Sequence, residues 1–239
     1  MDRNESWKSL QVASVAVHTA WAPVQVIAED VPELQLFVSG SDAEVSSLRT
    51  ELTEGQLLIE QPAYGISSVN VMERHWLTVY LRVPLQWKGA VDLSTTSGRL
   101  SCRGLNGSDL KLETVNGALE VDDLCFITAD LNTISGHMQI ASLYSETLDL
   151  RTVSGDIHLE LSRCGTVRAH SVTGETTLML LDPIESLTAS SVIGSLTVEV
   201  PMEKVHVQRR AVAGRVQLWQ ILDDPEAPLV SMNTVSGDL

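Results

Sequence analysis

Aromatic residues, cysteine and basic residues are all scarce in this chain of 239 residues. Phe, Tyr and Trp together make up only 4% of it, so the core is expected to be aliphatic. The three cysteines, Cys102, Cys125 and Cys164, have neither a metal-ligand spacing nor the pattern of a disulfide framework. Lys and Arg number 16 against 31 Asp and Glu, a net charge of -15. Such a charge disfavours binding to nucleic acid or to an anionic membrane surface.

Long apolar runs are also missing. No stretch of about 18 apolar residues is present, so the sequence predicts no membrane insertion. The first ten residues are polar and include Asp2, Arg3, Glu5 and Lys8, which is not typical of a signal peptide. The sequence therefore predicts a cytoplasmic location, with any association with the cell envelope occurring through partners.

A repeat dominates the part of the chain after residue 90. A four-residue motif of the type Thr-Val-Ser-Gly recurs eight times. The spacings between successive motif glycines are 19, 19, 19, 19, 20, 20 and 23 residues. These glycines are Gly98, Gly117, Gly136, Gly155, Gly174, Gly194, Gly214 and Gly237. A fixed period of this length is typical of a stacked repeat architecture.

Each repeat shows alternating apolar and polar residues on both sides of its glycine, which predicts two short strands. One such unit cannot bury its apolar face, but a parallel stack of them can. The predicted fold is all-β: a single-stranded, right-handed parallel β-solenoid with rungs of about 19 residues. Residues 1–90 are predicted to form an irregular N-terminal β section and cap, continuous with the regular repeats of residues 91–239. The strands predicted in this section are 10–17, 24–27, 34–38, 57–60 and 77–83.

The motif glycines are predicted to lie at corners, where glycine can adopt a positive φ. A Thr or Ser stands three residues before the glycine in seven of the eight copies and is predicted to form a hydroxyl row with a structural role. The last repeat ends part-way through its pattern, which predicts a free strand edge at the C-terminus. Val235 and Leu239 in that repeat, and the outward Trp219 beside an acidic loop, are the candidate interaction residues.

The strand Val79–Pro84, followed by Leu93-Ser-Thr-Thr-Ser-Gly98, belongs to a recognisable pattern, with further copies at residues 112–117 and 150–155. This pattern resembles the bacterial "putative adhesin" family, domains of unknown function with repeated Leu-x-Leu-x-Thr-x-Ser-Gly units. The resemblance covers residues 10–239 and implies a β-solenoid fold and a role in adhesion. It implies no catalytic or ligand-binding residues.

Catalytic signatures are not apparent in the sequence. His137 and His158 lie on outward positions of neighbouring repeats and are interpreted as surface residues, and no metal or cofactor is predicted. No nucleophile elbow or phosphate-binding loop is present. We therefore predict a non-enzymatic scaffold that contacts a protein partner, or itself through the C-terminal edge. A carbohydrate-binding adhesin module at the cell envelope is the alternative, and a polysaccharide-active enzyme is the least favoured hypothesis.

Overall fold

The computed structural model describes residues 1–62, 75–213 and 222–236 and is almost entirely β-structure. Within those ranges the only helices are a 3-10 turn at Ser9–Gln11 and the short helix α1, Asp42–Ser47. The all-β class predicted from the alternating pattern is confirmed.

The strands fall into an N-terminal set, a regular central set and a C-terminal set. The N-terminal strands are β1 (Asp2–Lys8), β2 (Ser14–Thr19), β3 (Val24–Glu29), β4 (Glu33–Gly40), β5 (Arg49–Thr53), β6 (Gln56–Glu60) and β7 (Leu77–Pro84). The central strands are β8 (Ala90–Thr95), β9 (Leu100–Arg103), β10 (Asn106–Thr114), β11 (Leu119–Asp122), β12 (Leu124–Ser135), β13 (Met138–Ile140), β14 (Leu143–Ser154), β15 (Ile157–Thr173), β16 (Thr176–Leu180), β17 (Ser186–Ile193) and β18 (Leu196–Glu199). The C-terminal strands are β19 (Lys204–Ala213), β20 (Leu222–Asp223) and β21 (Leu229–Ser236).

Two long ladders of paired strands form the body of the protein. Ladder 1 runs β5-β6-β2-β8-β10-β12-β14-β15-β17-β21-β19. Ladder 2 runs β1-β4-β7-β3-β9-β11-β13-β15-β16-β18. Most pairs are parallel, and the antiparallel pairs among the described strands involve β1, β4 and β5 near the N-terminus. The result is a long, open and mostly parallel sheet that winds like a solenoid.

Apolar columns between the ladders form the core. In ladder 1, Leu93, Leu112, Leu131 and Leu150 align across four successive strands, and each is fully buried. Their neighbours in the chain are polar and point outward, as alternation requires. Each buried leucine contributes about 1.5–3 kcal/mol relative to an exposed one. One continuous hydrophobic cluster extends from Val12 to Met232.

Register in the central strands follows the repeat. Aligned residues such as Leu110 and Ala129, or Ala129 and Leu148, lie 19 positions apart. From β15 to β17 the offset becomes 20, as for Val167 and Leu187. Handedness stays a prediction.

The N-terminal section contains elements that the sequence did not predict. Residues 2–8 form β1, which the polar sequence did not suggest, and Ser9–Gln11 forms a 3-10 turn where a strand was predicted. Helix α1 and strand β5 were also not predicted. Strand β2 does not begin the stack, because it lies between β6 and β8, and β3 likewise lies between β7 and β9. The first repeat-like unit is thus covered on its outer side by later strands.

The prediction of a free edge at the last repeat is wrong. Strand β21 pairs with β17 on one side and with β19 on the other, with seven aligned residue pairs on each side. Its Val230 and Met232 are buried in the core. The last strand is therefore inserted before its predecessor, and within the described residues the edge of ladder 1 is β19.

Candidate functional site

The motif glycines form a column in which the backbones of successive turns touch. A Cβ atom on Gly117 would collide with the carbonyl oxygen of Gly98, and one on Gly136 would collide with that of Gly117. The same close approach continues through Gly155, Gly174 and Gly194. The predicted reason, a positive φ, applies only to Gly174 and Gly194 among the described motif glycines. Close stacking, not backbone conformation, therefore explains the glycine in most copies.

The hydroxyl residues three positions before the glycines form a buried row parallel to that column. Thr95 and Thr114 accept hydrogen bonds from the backbone N–H of Gly98 and Gly117, at 3.0 and 2.9 Å. In the next repeats the glycine N–H donates to the following repeat instead, as Gly136 does to the Ser154 carbonyl. The hydroxyl row lies under the surface, and Thr95 and Thr114 close turns as their predicted structural role requires. The buried hydroxyl oxygens further along the row have no hydrogen-bond partner among the described residues: Thr133, Thr152, Ser171, Ser191 and Thr234.

A groove of about 730 Å³ runs along ladder 1 above the hydroxyl row. Its floor consists of Thr19, Thr95, Thr114, Thr133, Thr152 and Ser171. One side, the polar wall, consists of Ser94, Glu113, Asn132, Arg151, His170 and Ser190. The opposite side consists of Thr96, Val115, Ile134, Val153, Val172 and Val192. The groove therefore crosses the strands, and the five repeats from Thr95 to Ser171 each contribute one residue to each of the three columns.

The apolar side of the groove continues onto the last strand as an exposed row, here called the ridge. The ridge consists of Ile134, Val153, Val172, Val192 and Val235, which align on β12, β14, β15, β17 and β21. Each of these side chains is 42–50% exposed. Single exposed aliphatic residues are ordinary, but a contiguous row of five is a candidate contact surface.

The polar wall carries charges that are partly neutralised within the chain. Glu113 lies 3.0 Å from the Lys111 ammonium, and its hydrogen bond raises the pKa of that lysine. Arg151 contacts both Asp130 and Asp149 at 3.3–3.4 Å. His170 Nδ1 shares a 2.6 Å hydrogen bond with the Ser190 hydroxyl. The wall thus presents hydrogen-bonding groups of mixed charge beside the apolar ridge.

Only one of the three predicted interaction residues falls on the described chain. Val235 is exposed and forms the C-terminal end of the ridge, although its strand edge is not free. Trp219 and Leu239 lie outside the described residues, as do the corner glycines Gly214 and Gly237. Any contact made by Val235 would therefore involve its outward side chain and not a free strand edge.

The described histidine, cysteine and acidic side chains do not form a metal-binding cluster. In residues 1–62, 75–213 and 222–236 there is no group of three or more His, Cys, Asp or Glu that could hold a metal ion. His158 makes a 2.5 Å contact with Glu160, while His137 is exposed on the preceding repeat. Burial raises the pKa of the Cys102 thiol to about 12 and that of Cys164 to about 11, so both stay protonated near neutral pH.

A family model places the chain among known proteins. The model described as Toastrack DUF4097 matches residues 42–218, which is most of the chain. This chain belongs to the Toastrack family. The sequence matches none of the curated proteins.

Solved structures agree with the Toastrack assignment at the level of the fold. A protein called a putative adhesin from Bacteroides fragilis shares 12% identity at a TM-score of 0.60, with 100% of this chain and 96% of that chain covered. Putative adhesins from Parabacteroides distasonis (12% identity, TM-score 0.62) and Parabacteroides merdae (10%, 0.61) also cover 100% of this chain, with 96% and 95% of theirs. The resemblance to the bacterial adhesin-like domains is therefore confirmed.

Among the described residues of this Toastrack chain, no helix is long and apolar enough to cross a membrane. The ridge itself was not predicted, although its signal is visible in the repeat. An aliphatic residue stands two positions before Gly136, Gly155, Gly174 and Gly194, where alternation around the buried hydroxyl directs it outward.

Proposed function

We propose that this chain is a non-catalytic, adhesin-like scaffold that mediates contact between proteins, including copies of itself, through the ridge. The observation that carries this proposal is the exposed aliphatic row from Ile134 to Val235. The names of the structural neighbours, putative adhesins, are in keeping with such a role.

The rigidity of ladder 1 supports a binding role for the ridge. All five strands that carry it are paired on both sides, so the side chains are held in a fixed row at about 4.8 Å intervals. A preorganised surface loses little conformational entropy when it binds. Ridge contacts of this kind suit a partner with an equally regular apolar surface.

The ridge can be tested by placing a charge in it. Val153→Asp puts a carboxylate among apolar neighbours, and we expect it to weaken self-association at least tenfold because that charge would be desolvated in the contact. Ile127→Asp is the matched control, since Ile127 is 53% exposed on β12 but lies outside the groove. Light scattering coupled to gel filtration, over a wide concentration range, measures the effect.

Equal association of the Val153→Asp variant and the unmodified chain would refute a ridge contact between copies. Equal weakening by Ile127→Asp would show that the effect reflects added negative charge in general. Circular dichroism of both variants establishes that each retains its β-structure.

A carbohydrate-binding role at the cell envelope is the second candidate, and the polar wall favours it. Glu113, Asn132, Arg151 and His170 line one side of a groove open to an extended ligand. Calorimetric titration with neutral oligosaccharides tests this role. Binding that is lost in Asn132→Ala and kept in Gln25→Ala, an exposed residue outside the groove, would support it.

A polysaccharide-active enzyme gains no support from this groove. Glycoside cleavage needs two carboxyl groups facing each other across the substrate. Glu113 is the one carboxylate in the described groove lining, and it forms an ion pair with Lys111.

We also propose the finer features of the architecture: a right-handed, single-stranded solenoid with rungs of about 19 residues. In this proposal residues 1–90 form a cap continuous with residues 91–239, which the unbroken core from Val12 to Met232 supports. The cytoplasmic location stays a prediction from the sequence.

A further inference from the structure

The ridge has a natural centre. Val172 on β15 is the third of its five members, with Val153 and Ile134 on one side and Val192 and Val235 on the other. Consider two copies packed face to face and related by a two-fold axis parallel to β15. In the second copy the strands of ladder 1 then follow one another in the reverse order, and each column of residues lies opposite the same column of the first copy. Val172 would then meet Val172 of a second copy.

With that axis every ridge residue finds an apolar partner. Val153 faces Val192 of the second copy, and Ile134 faces its Val235. Moving the axis by one strand leaves at least one aliphatic side chain opposite a non-ridge residue. Among axes that pass through a strand, the axis at Val172 therefore sets the most ridge residues opposite one another.

The polar wall is complementary under the same operation. Glu113 stands on β10, three strands from β15 in one direction, and Arg210 stands on β19, three strands away in the other. Both residues occupy the same column, so each Glu113 carboxylate would meet the Arg210 guanidinium of the second copy. Arg210 is exposed and makes no ion pair with any described residue. A two-fold dimer would form this pair twice.

The next outward column avoids repulsion between acids. Asp149 and Asp130 lie one and two strands from β15 on one side, and Thr188 and Ser231 hold the corresponding places on the other. The axis thus sets each carboxylate opposite an uncharged residue. Arg168, which faces its own copy at the axis, is already paired with Asp149 at 3.4 Å. A chain of net charge -15 needs such an arrangement to associate with itself.

We propose that two copies of this chain form a symmetric dimer across the ridge, with Val172 at the axis and Glu113 of each copy paired with Arg210 of the other. This inference rests on the proposed function, because it names the partner of the ridge and fixes its register.

Charge reversal tests the register. We expect Glu113→Arg and Arg210→Glu each to weaken dimerisation about tenfold, since each opposes two like charges in both symmetry-related contacts. The double variant restores opposite charges with the positions exchanged, and its dissociation constant is expected to return to within about threefold of the unmodified value. Sedimentation velocity over a concentration series measures all four chains.

Glu146→Arg is the control for net charge, because Glu146 is exposed on β14 outside the groove. It changes the chain's charge by the same amount as Glu113→Arg and is expected to leave dimerisation unweakened. A double variant no tighter than either single one overturns the inference, as does a chain that is monomeric at every concentration.

The two proposals fail in different ways. If Val153→Asp disrupts the dimer and the double reversal does not restore it, the ridge is the contact but the register is wrong. If Val153→Asp has no effect, the ridge contact itself is wrong, and the proposed register is wrong with it.

Discussion

The central strands and the two ends of the stack share the alternation of apolar and polar residues but order their strands differently. From β8 to β17, the next unit in the chain is also the next unit in ladder 1. At the ends this rule is broken, because β2 lies between β6 and β8, and β21 lies between β17 and β19. Chain order predicts spatial order only in the middle.

The difference shows what a repeat pattern specifies. Alternation and glycine position determine which residues share a column, and any strand with that pattern fits any place in the stack. The order of strands is decided by the connections and by the need to cover the outermost edges. At the described C-terminal edge, β19 carries Lys204, Arg209 and Arg210, and such charged side chains discourage further strand addition.

The largest expected effect separates a central glycine from a terminal one. In Gly136→Ala the new methyl would overlap the backbone carbonyl of Gly117, which cannot move without separating paired strands. We expect a loss of at least about 3 kcal/mol in the free energy of unfolding. Gly55→Ala, at a terminal turn with φ +84° and only ordinary contacts around the added Cβ, should cost about 1 kcal/mol. Urea denaturation of both variants measures the difference.

Similar losses in the two glycine variants would contradict the close stacking of the central turns. Both losses of unfolding free energy would then reflect only the general effect of replacing a glycine, at the central and the terminal position alike.

A smaller effect concerns the N-terminal section, where one buried side chain accepts hydrogen bonds from a turn. The buried Gln61 accepts hydrogen bonds through Oε1 from the backbone N–H groups of Ala20, Trp21 and Ala22, at 3.0–3.3 Å. Gln61→Ala leaves these donors without that acceptor, so we expect about 2 kcal/mol of destabilisation. Gln25→Ala, at an exposed position on β3, should change stability by less than about 0.5 kcal/mol.

Thermal unfolding of the two glutamine variants is the appropriate measurement. Unchanged stability of Gln61→Ala would mean that water accepts hydrogen bonds from the backbone N–H groups of residues 20–22 in place of the glutamine. The side chain of Gln61 would then contribute little to the stability of this turn.

The sequence predicts the columns well and the ends poorly, for a physical reason. Leu93 and Leu112 reveal their place through alternation, which is a local property of the chain. The insertion of β21 between β17 and β19 is a long-range pairing, and the alternation in Leu229–Ser236 fits any place in ladder 1. Strand β1 was missed because an edge strand such as Asp2–Lys8 can be polar on its exposed face while Trp7 packs against the core.

The candidate site was predictable in principle. Val153 and its equivalents belong to the motif that identified the repeat, yet their outward position follows only when the adjacent hydroxyl is recognised as buried. The groove forms because the residues before and after the buried hydroxyl residue point outward on six successive strands of ladder 1. Its existence therefore follows only from the register of those strands in three dimensions.

The smallest expected effect concerns the second corner of the central repeats. Gly104 and Asp123 occupy this corner with φ +69° and +54°, and Leu161 occupies the equivalent place with φ +46°. A left-handed conformation is costly for leucine, and Leu161 is 58% exposed, so its side chain recovers little through packing. We expect Leu161→Gly to raise the free energy of unfolding by about 0.5–1 kcal/mol, since relief of strain outweighs the added flexibility of the unfolded chain.

Leu181→Gly is the matched control, because Leu181 is exposed in the next repeat without a positive φ, and there glycine should be neutral or destabilising. The urea midpoints of the two variants should shift in opposite directions or differ clearly. If both urea midpoints fall equally, the left-handed backbone conformation of Leu161 stores no strain, and its φ of +46° has no effect on stability.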